Sequence, residues 1–276
     1  MSDKKIKHFV VVRFFPFKRP DFQRDIFDTD FLSTQVSLAK NNLLKSLENQ
    51  TDKNFEIYFL ANGKYFDNPK YEFIFTELSD SPLTIKFIRK KSDPSIQDAY
   101  NNYDFVIQTR VDFDDFMYKD AVADTQNKIN ECDSILSYGY SKGYMYFNED
   151  LYDFPAPKYA KRGQRSPFQS WIIKSSFAKK IPYVSAYPCE HTKIVPFLKE
   201  FLEKNGFEFS ENMYQNNITT NAFIYFRHDA TWMNNGKPYT ERPKGITHSK
   251  ILTTDDITKK QLEEEFGFFY DLNSIK

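Results

Sequence analysis

The chain has 276 residues, close to the upper size served by one hydrophobic core, so a single domain is expected. Hydrophobic residues make up 40% and aromatics 18%, enough apolar material for a packed core, which excludes a disordered tail. Lys and Arg (38) balance Asp and Glu (38), so the footprint of a nucleic-acid binder is absent and a polynucleotide partner is disfavoured.

In chain order, Lys7 to Phe15 is β-branched and aromatic and reads as a buried strand ended by Pro16. Pro16 to Asp30 has no clean period and is expected as an irregular flap. Ser33 to Glu48 places Val36, Leu38, Leu43, Leu44 and Leu47 near helical spacing, with Ser33 as cap. Phe55 to Ala61 is a second strand closed by Asn62-Gly63, and Leu83 to Arg89 a third. Asp93-Pro94 opens a short helix to Asn102, and Tyr103 to Thr109 is a fourth, largely apolar strand. Met117 to Glu131 reads as helix, Ser134 to Phe147 as a hairpin turning at Ser141-Lys142-Gly143, and Val195 to Lys204 as helix. Thr253 to Tyr270 closes the chain with a helix started by Asp255 or Asp256. This alternation predicts an α/β fold, a sheet with helices on its faces.

No run approaches the roughly 18 apolar residues of a membrane span. The start of the sequence has no signal-peptide pattern, so a cytoplasmic protein is expected, with membrane contact confined to the periphery. Cys132 and Cys189 lack metal-ligand spacing and read as buried thiols in a reducing compartment.

The chemistry concentrates in Arg110-Val111-Asp112-Phe113-Asp114-Asp115, directly after the fourth strand. In an extended segment Arg110, Asp112 and Asp114 share one side at the carboxyl end of that strand, where open α/β sheets bind ligands. Clustered carboxylates repel unless a cation lies between them, and an all-oxygen set suits Mn2+ or Mg2+. The plainer alternative is that the aspartates cap the helix that follows. No Walker loop, dinucleotide fingerprint, zincin motif or nucleophile elbow is present.

Arg-x-Asp-x-Asp-Asp after an apolar strand resembles the metal-binding motif of GT-A glycosyltransferases, and the approach to it resembles the rhamnosyltransferase family in particular. The resemblance runs from Arg13, through Ser46-Leu47-Glu48-Asn49-Gln50-Thr51 and Phe55, to Asp115, with thinner likeness at Ser166 to Ser170, Arg227-His228 and Glu265-Phe266-Gly267. It implies a GT-A, Rossmann-like mixed sheet flanked by helices, with a C-terminal acceptor-side region. Residues 1–131 would form a nucleotide-sugar-binding half, and residues 132–276 an acceptor-side half with the C-terminal helix.

The implied activity is metal-dependent transfer of a sugar from a nucleotide-diphosphate donor to a hydroxyl of a glycan or glycolipid acceptor; the high Phe, Tyr, Lys, Asn and Ile content separately suggests an AT-rich genome, bacterial or viral, and with it surface-glycan synthesis. Asp114 and Asp115 would hold the metal and nucleotide, with Arg110 beside them, Asp112 near the ribose, and Arg13 and Asn62 near the base. His228, or after it His248, would complete the metal site. Glu190 would be the catalytic base, although Pro188-Cys189-Glu190-His191 carries one acidic residue where the motif of inverting enzymes has two. Lys158, Lys161, Arg162 and Arg165 could clamp a diphosphate or meet an anionic lipid-linked acceptor. Trp232 is the acceptor-stacking candidate, and Trp171 is expected in the core. A nucleotidyltransferase and a non-catalytic carbohydrate-binding module of similar shape are the alternatives.

Overall fold

The computed structural model describes residues 4–14, 25–154, 168–189, 193–227 and 250–272. The first strand, β1 (Ile6–Arg13), is followed by a helical run whose start is Asp28, not Ser33. The Asp28 carboxylate accepts from Phe31 N at 2.8 Å, and this earlier start sets Phe31, Leu32 and Val36 into the core. The run passes from α1 (Thr29–Leu38) through a π-helical stretch (Ala39–Leu44) into α2 (Lys45–Glu48). Most of the expected flap lies outside the described residues, and its last two positions are helical.

The alternation continues with β2 (Glu56–Leu60), α3 (Gly63–Phe66), α4 (Glu72–Ser79), β3 (Ile85–Ile88), α5 (Pro94–Asn102) and β4 (Phe105–Asp112). The fourth strand therefore runs past Thr109 to take in Arg110 and Asp112. After it come the two-residue β5 (Phe116–Met117) and α6 (Ala121–Asn127), shorter than the helix expected from Met117 because Met117 pairs with a later strand.

The expected hairpin at Ser141 to Gly143 is not formed: β6 (Ile135–Phe147) is continuous. It turns instead at Asn148 and Glu149, with φ of 51° and 61°, into β7 (Asp150–Phe154). Gly143 has a packing role, since a Cβ there would lie 2.5 Å from the carbonyl oxygen of Phe223. Next are β8 (Gln169–Lys174), α7 (Ser175–Ala178), α8 (Ile194–Lys204), β9 (Tyr214–Arg227) and α9 (Lys259–Phe266). The last is opened by Thr258 and Gln261 in a capping box, not by Asp255 or Asp256. Asp256 instead accepts from Thr253 N at 2.9 Å, in the turn before the helix.

The strands form one mixed sheet in the order β3-β2-β1-β4-β8-β6-β9-β5, with β7 beside β6. The first four are parallel, in the order 3-2-1-4 of one half of a doubly wound sheet. Strand β8 is antiparallel to both β4 and β6. One face packs Val10, Val12, Phe59 and Ile107 against Leu32, Val36, Leu43 and Leu47 of the first helical run. The other packs Phe9, Val11, Val106 and Trp171 against Ile96 of α5 and Leu198 and Leu202 of α8. Trp171 is fully buried, as the sequence led us to expect. A third cluster joins Phe116, Tyr146 and Phe226 to Leu262, Phe266 and Phe268 of the C-terminal region. The mixed α/β class is thus as expected, and no helix among the described residues is long and apolar enough to cross a membrane.

Candidate active site

Strands β1 and β4 lie side by side with Arg13 opposite Asp112 and Val11 opposite Arg110. Their parallel direction brings both carboxyl ends to one edge of the sheet, with Asn62 at the end of neighbouring β2. Arg13 Nη2 donates to both oxygens of Asp112, at 3.0 and 3.2 Å. This pairing holds the Arg13 guanidinium firmly protonated, Asp112 outweighing the opposing effect of burial.

Tyr187 ties this edge together. Its hydroxyl oxygen accepts from the amides of Arg13 (3.0 Å) and Val111 (3.2 Å), and its proton faces the carbonyls of Val11 (2.9 Å) and Val111 (2.6 Å). Burial, followed by the charge of Asp112, raises the phenol well above its usual range, so it stays neutral. Two guanidinium groups lie over its ring, Arg110 at 4.6 Å and Arg13 at 5.5 Å from the centroid. Lys91, beyond the end of β3, adds a third cation and donates to the Tyr187 carbonyl at 3.0 Å. Its pKa is lowered, first by burial and then by repulsion from Arg13 and Arg110.

Arg110 is 4% exposed. Its Nη1 donates to the Cys189 carbonyl at 3.0 Å, its Nε has no partner, and it makes no ion pair with a described carboxylate. A buried cation without an ion pair is costly, and here, among the described residues, it lies beside Arg13 and Lys91, while Asp112 is engaged by Arg13. The edge is therefore electrostatically incomplete and suited to a multiply charged anion.

The acidic run itself divides. The alternation of Arg110 and Asp112 stops where β4 stops, so Asp114 lies in the following turn, where its carbonyl accepts from Asn42 Nδ2 at 2.8 Å. Asp115 is fully buried, and its Oδ1 accepts from Phe226 N of β9 at 2.9 Å. Asn62 caps α3 through Oδ1, which accepts from Lys64 N at 3.0 Å. Among the described residues no group of three His, Cys, Asp or Glu side chains could hold a metal ion. The oxygen-only chemistry of Asp114 and Asp115 suits a hard cation, but the described donors leave its shell to be completed by other ligands. Glu190, His228, His248, Trp232 and the basic positions Lys158, Lys161, Arg162 and Arg165 lie outside the described residues.

Sequence reasoning missed Tyr187 and Lys91, which sit in loops without periodicity. It also missed Asn42, although a polar residue on the inner side of an apolar helix was a visible signal.

The model of one protein family matches residues 22–198, more than half of the chain. No functionally curated sequence matches. Solved structures with some likeness include S. aureus TarS, at 16% identity and a TM-score of 0.35, covering 80% of this chain and 37% of that one. A cytidylyltransferase from Leptospira borgpetersenii has 15% identity, coverage of 75% and 76%, and a TM-score of 0.36. Mannose-6-phosphate isomerase from Helicobacter pylori has 12% identity, coverage of 63% and 72%, and a TM-score of 0.28. The chain thus spans little more than a third of the length of TarS. By the family match, the chain belongs to the family described as "Putative rhamnosyl transferase".

Proposed function

We propose that the chain transfers a hexosyl or deoxyhexosyl group from a nucleotide-diphosphate donor to a hydroxyl of a glycan or glycolipid. Family membership supports glycosyl transfer in general. The observation that carries the donor class is the buried Arg110 guanidinium, without a carboxylate partner among the described residues, stacked on Tyr187 beside Arg13 and Lys91. A diphosphate would satisfy all three cations at once. Because negative charge builds on the diphosphate as its bond to the sugar breaks, cations fixed at that edge would stabilise the transition state more than the ground state.

Asp112 would hold Arg13 in place, and Asn62 would lie near the base. A bound Mn2+ or Mg2+ would supply further charge neutralisation at the diphosphate, held by Asp114 and Asp115 with His228. His228 follows Arg227, the last described residue of β9, and Asp115 Oδ1 accepts from Phe226 N of that strand, which supports this role. Glu190 would deprotonate the acceptor hydroxyl, and Trp232 would stack on the acceptor.

The test is product analysis. Purified protein is incubated with UDP-, dTDP-, GDP- and CMP-linked sugars, with and without Mn2+, and free nucleotide is measured. Release from one donor class, dependent on Mn2+, is expected. Pyrophosphate release from a nucleoside triphosphate and a sugar phosphate, with no release from any sugar nucleotide, would favour a nucleotidyltransferase instead.

A further inference from the structure

Lys91 stands in the turn between β3 and α5, and β3 is the edge strand at its end of the sheet. Its ammonium nevertheless reaches Tyr187, whose hydroxyl is anchored on β1 and β4. Those strands are two and three places from β3, about 10 and 14 Å by the spacing of a sheet, so the turn has to lean in over β2. Electrostatics opposes that lean. Arg13 and Arg110 repel the ammonium, and a lysine on a flexible four-carbon stem gains hydration by swinging out to water.

One irregular segment, residues 181–189, holds Lys91 at both ends. The Tyr183 hydroxyl donates to the Lys91 carbonyl at 2.8 Å, and Lys91 Nζ donates to the Tyr187 carbonyl at 3.0 Å. Burial raises the Tyr183 phenol well above its usual range, so it keeps the proton it donates. The same segment is fastened along β4: Gln108 Nε2 donates to the Val184 carbonyl at 2.9 Å, and Arg110 Nη1 to the Cys189 carbonyl at 3.0 Å. A carbonyl only accepts, so the nitrogen end of Gln108 faces Val184 and its oxygen end meets the Tyr183 hydroxyl, at 3.0 Å. Lys91 and Arg110 are thus placed by a single stretch of backbone. The turn has a second tie from α5, Gln97 Nε2 to the Ser92 carbonyl at 3.2 Å, so removing the Tyr183 hydroxyl loosens the turn without unfolding it.

We propose that Tyr183 is a positioning residue for the diphosphate: its hydroxyl, bonded to the Lys91 carbonyl, fixes the turn so that the Lys91 ammonium stands at the cationic edge before the donor arrives. This rests on the donor reading of that edge. Ordering of Lys91 then belongs to folding and not to binding, and the ligand meets a third cation already in place beside Arg13 and Arg110. Without the hydroxyl the turn relaxes outwards, and the ligand must draw Lys91 back against the repulsion of both guanidinium groups. The contribution of Tyr183 therefore passes through Lys91 alone.

The experiment is a double-mutant cycle by calorimetric titration of the full chain: wild type, Tyr183→Phe, Lys91→Met and the two combined. The probes are UDP, dTDP and GDP in Mn2+, at low ionic strength so that loss of one cation leaves binding measurable. The nucleotide that binds the wild type should bind Tyr183→Phe about five- to tenfold more weakly, one hydrogen bond being worth about that much. Added to Lys91→Met, the same substitution should change affinity by less than about twofold. Equal weakening by Tyr183→Phe in both backgrounds would mark a merely structural role and overturn the inference, as would no weakening in the wild-type background. A wild type that binds a nucleotide as tightly as Lys91→Met does overturns the inference while the rest of the cationic edge stands. A wild type that binds no nucleotide overturns both the inference and the donor reading. A Tyr183→Phe chain that does not fold assigns the hydroxyl to stability and also overturns the inference.

Discussion

Asn42 Nδ2 donates to the carbonyl of Asp114 at 2.8 Å, while Asn42 Oδ1 accepts from the hydroxyl of Tyr270 at 2.7 Å. A fully buried carboxamide on the π-helical stretch thus joins the acidic turn to the C-terminal segment. Ser46 and Gln50 continue the line at four-residue intervals. Ser46 Oγ accepts from Met117 N at 3.1 Å, and Gln50 bonds the Tyr118 carbonyl (2.8 Å) and Val122 N (3.0 Å). Asn42→Leu strands both partners and should cost about 1–3 kcal/mol by chemical denaturation. If glycosyl transfer runs at this edge, the loss of kcat should exceed what the lost stability explains.

His8 gives the protein an acid-sensitive core. It is 1% exposed, with Nε2 2.8 Å from Thr109 Oγ1, and burial pushes its pKa down to about 3. An unfolded histidine titrates near 6.5, so between about pH 6.5 and 3 the unfolded state binds a proton that the folded state refuses. Stability therefore falls as pH falls through that window and is unaffected above it. The loss is about 2 kcal/mol at pH 5 from this residue alone. His8→Gln should flatten this part of the curve; the check is the difference in denaturation midpoint between pH 7 and pH 5 for both proteins.

Gly143 should not tolerate a side chain. A Cβ at this position would meet the Phe223 carbonyl oxygen at 2.5 Å and its ring at 2.6 Å, both on the neighbouring β9. Gly143→Ala must separate β6 from β9 and should cost about 1–3 kcal/mol, measured by urea denaturation. An equally stable variant would mean that the two strands part without cost.

Lys91 is where anion binding should be seen as proton movement. Burial and the neighbouring Arg13 and Arg110 lower its pKa, and a bound diphosphate would raise it again. Binding should then take up protons at pH values around and above the lowered pKa, and affinity should fall as pH rises through that range. Titration calorimetry in two buffers of different ionisation enthalpy measures the uptake directly, and Lys91→Met should abolish it.

Much of the parallel half was legible in the sequence because its strands are apolar runs bounded by strong signals, such as Asp93-Pro94 before α5. The second half was less legible. Gly143 and Lys142 look like a turn but lie inside a strand, because cross-strand approach and turn conformation both select glycine. The polar positions Gln215, Asn216, Asn217, Thr219, Thr220 and Asn221 hid β9, whose bulges and side-chain bonds replace the usual apolar alternation. At the candidate site, Arg13, Arg110 and Asp112 could be read as neighbours of a strand end. Tyr187 could not, since its place between β1 and β4 depends on a loop closing over the sheet from 76 residues beyond Val111.

The central claim, that the cationic edge takes the diphosphate of a sugar nucleotide, is tested most directly by the melting temperature of wild type and Arg110→Met with the diphosphates UDP, dTDP and GDP, each with and without Mn2+. A ligand that binds only the folded state raises the melting point by mass action. One nucleotide should raise it in the wild type, and the rise should vanish in Arg110→Met. The unliganded variant should melt no lower than the wild type, because a buried charge with no ion pair among the described residues has been removed. An undiminished rise in Arg110→Met, or no rise with any nucleotide in the wild type, would contradict the account.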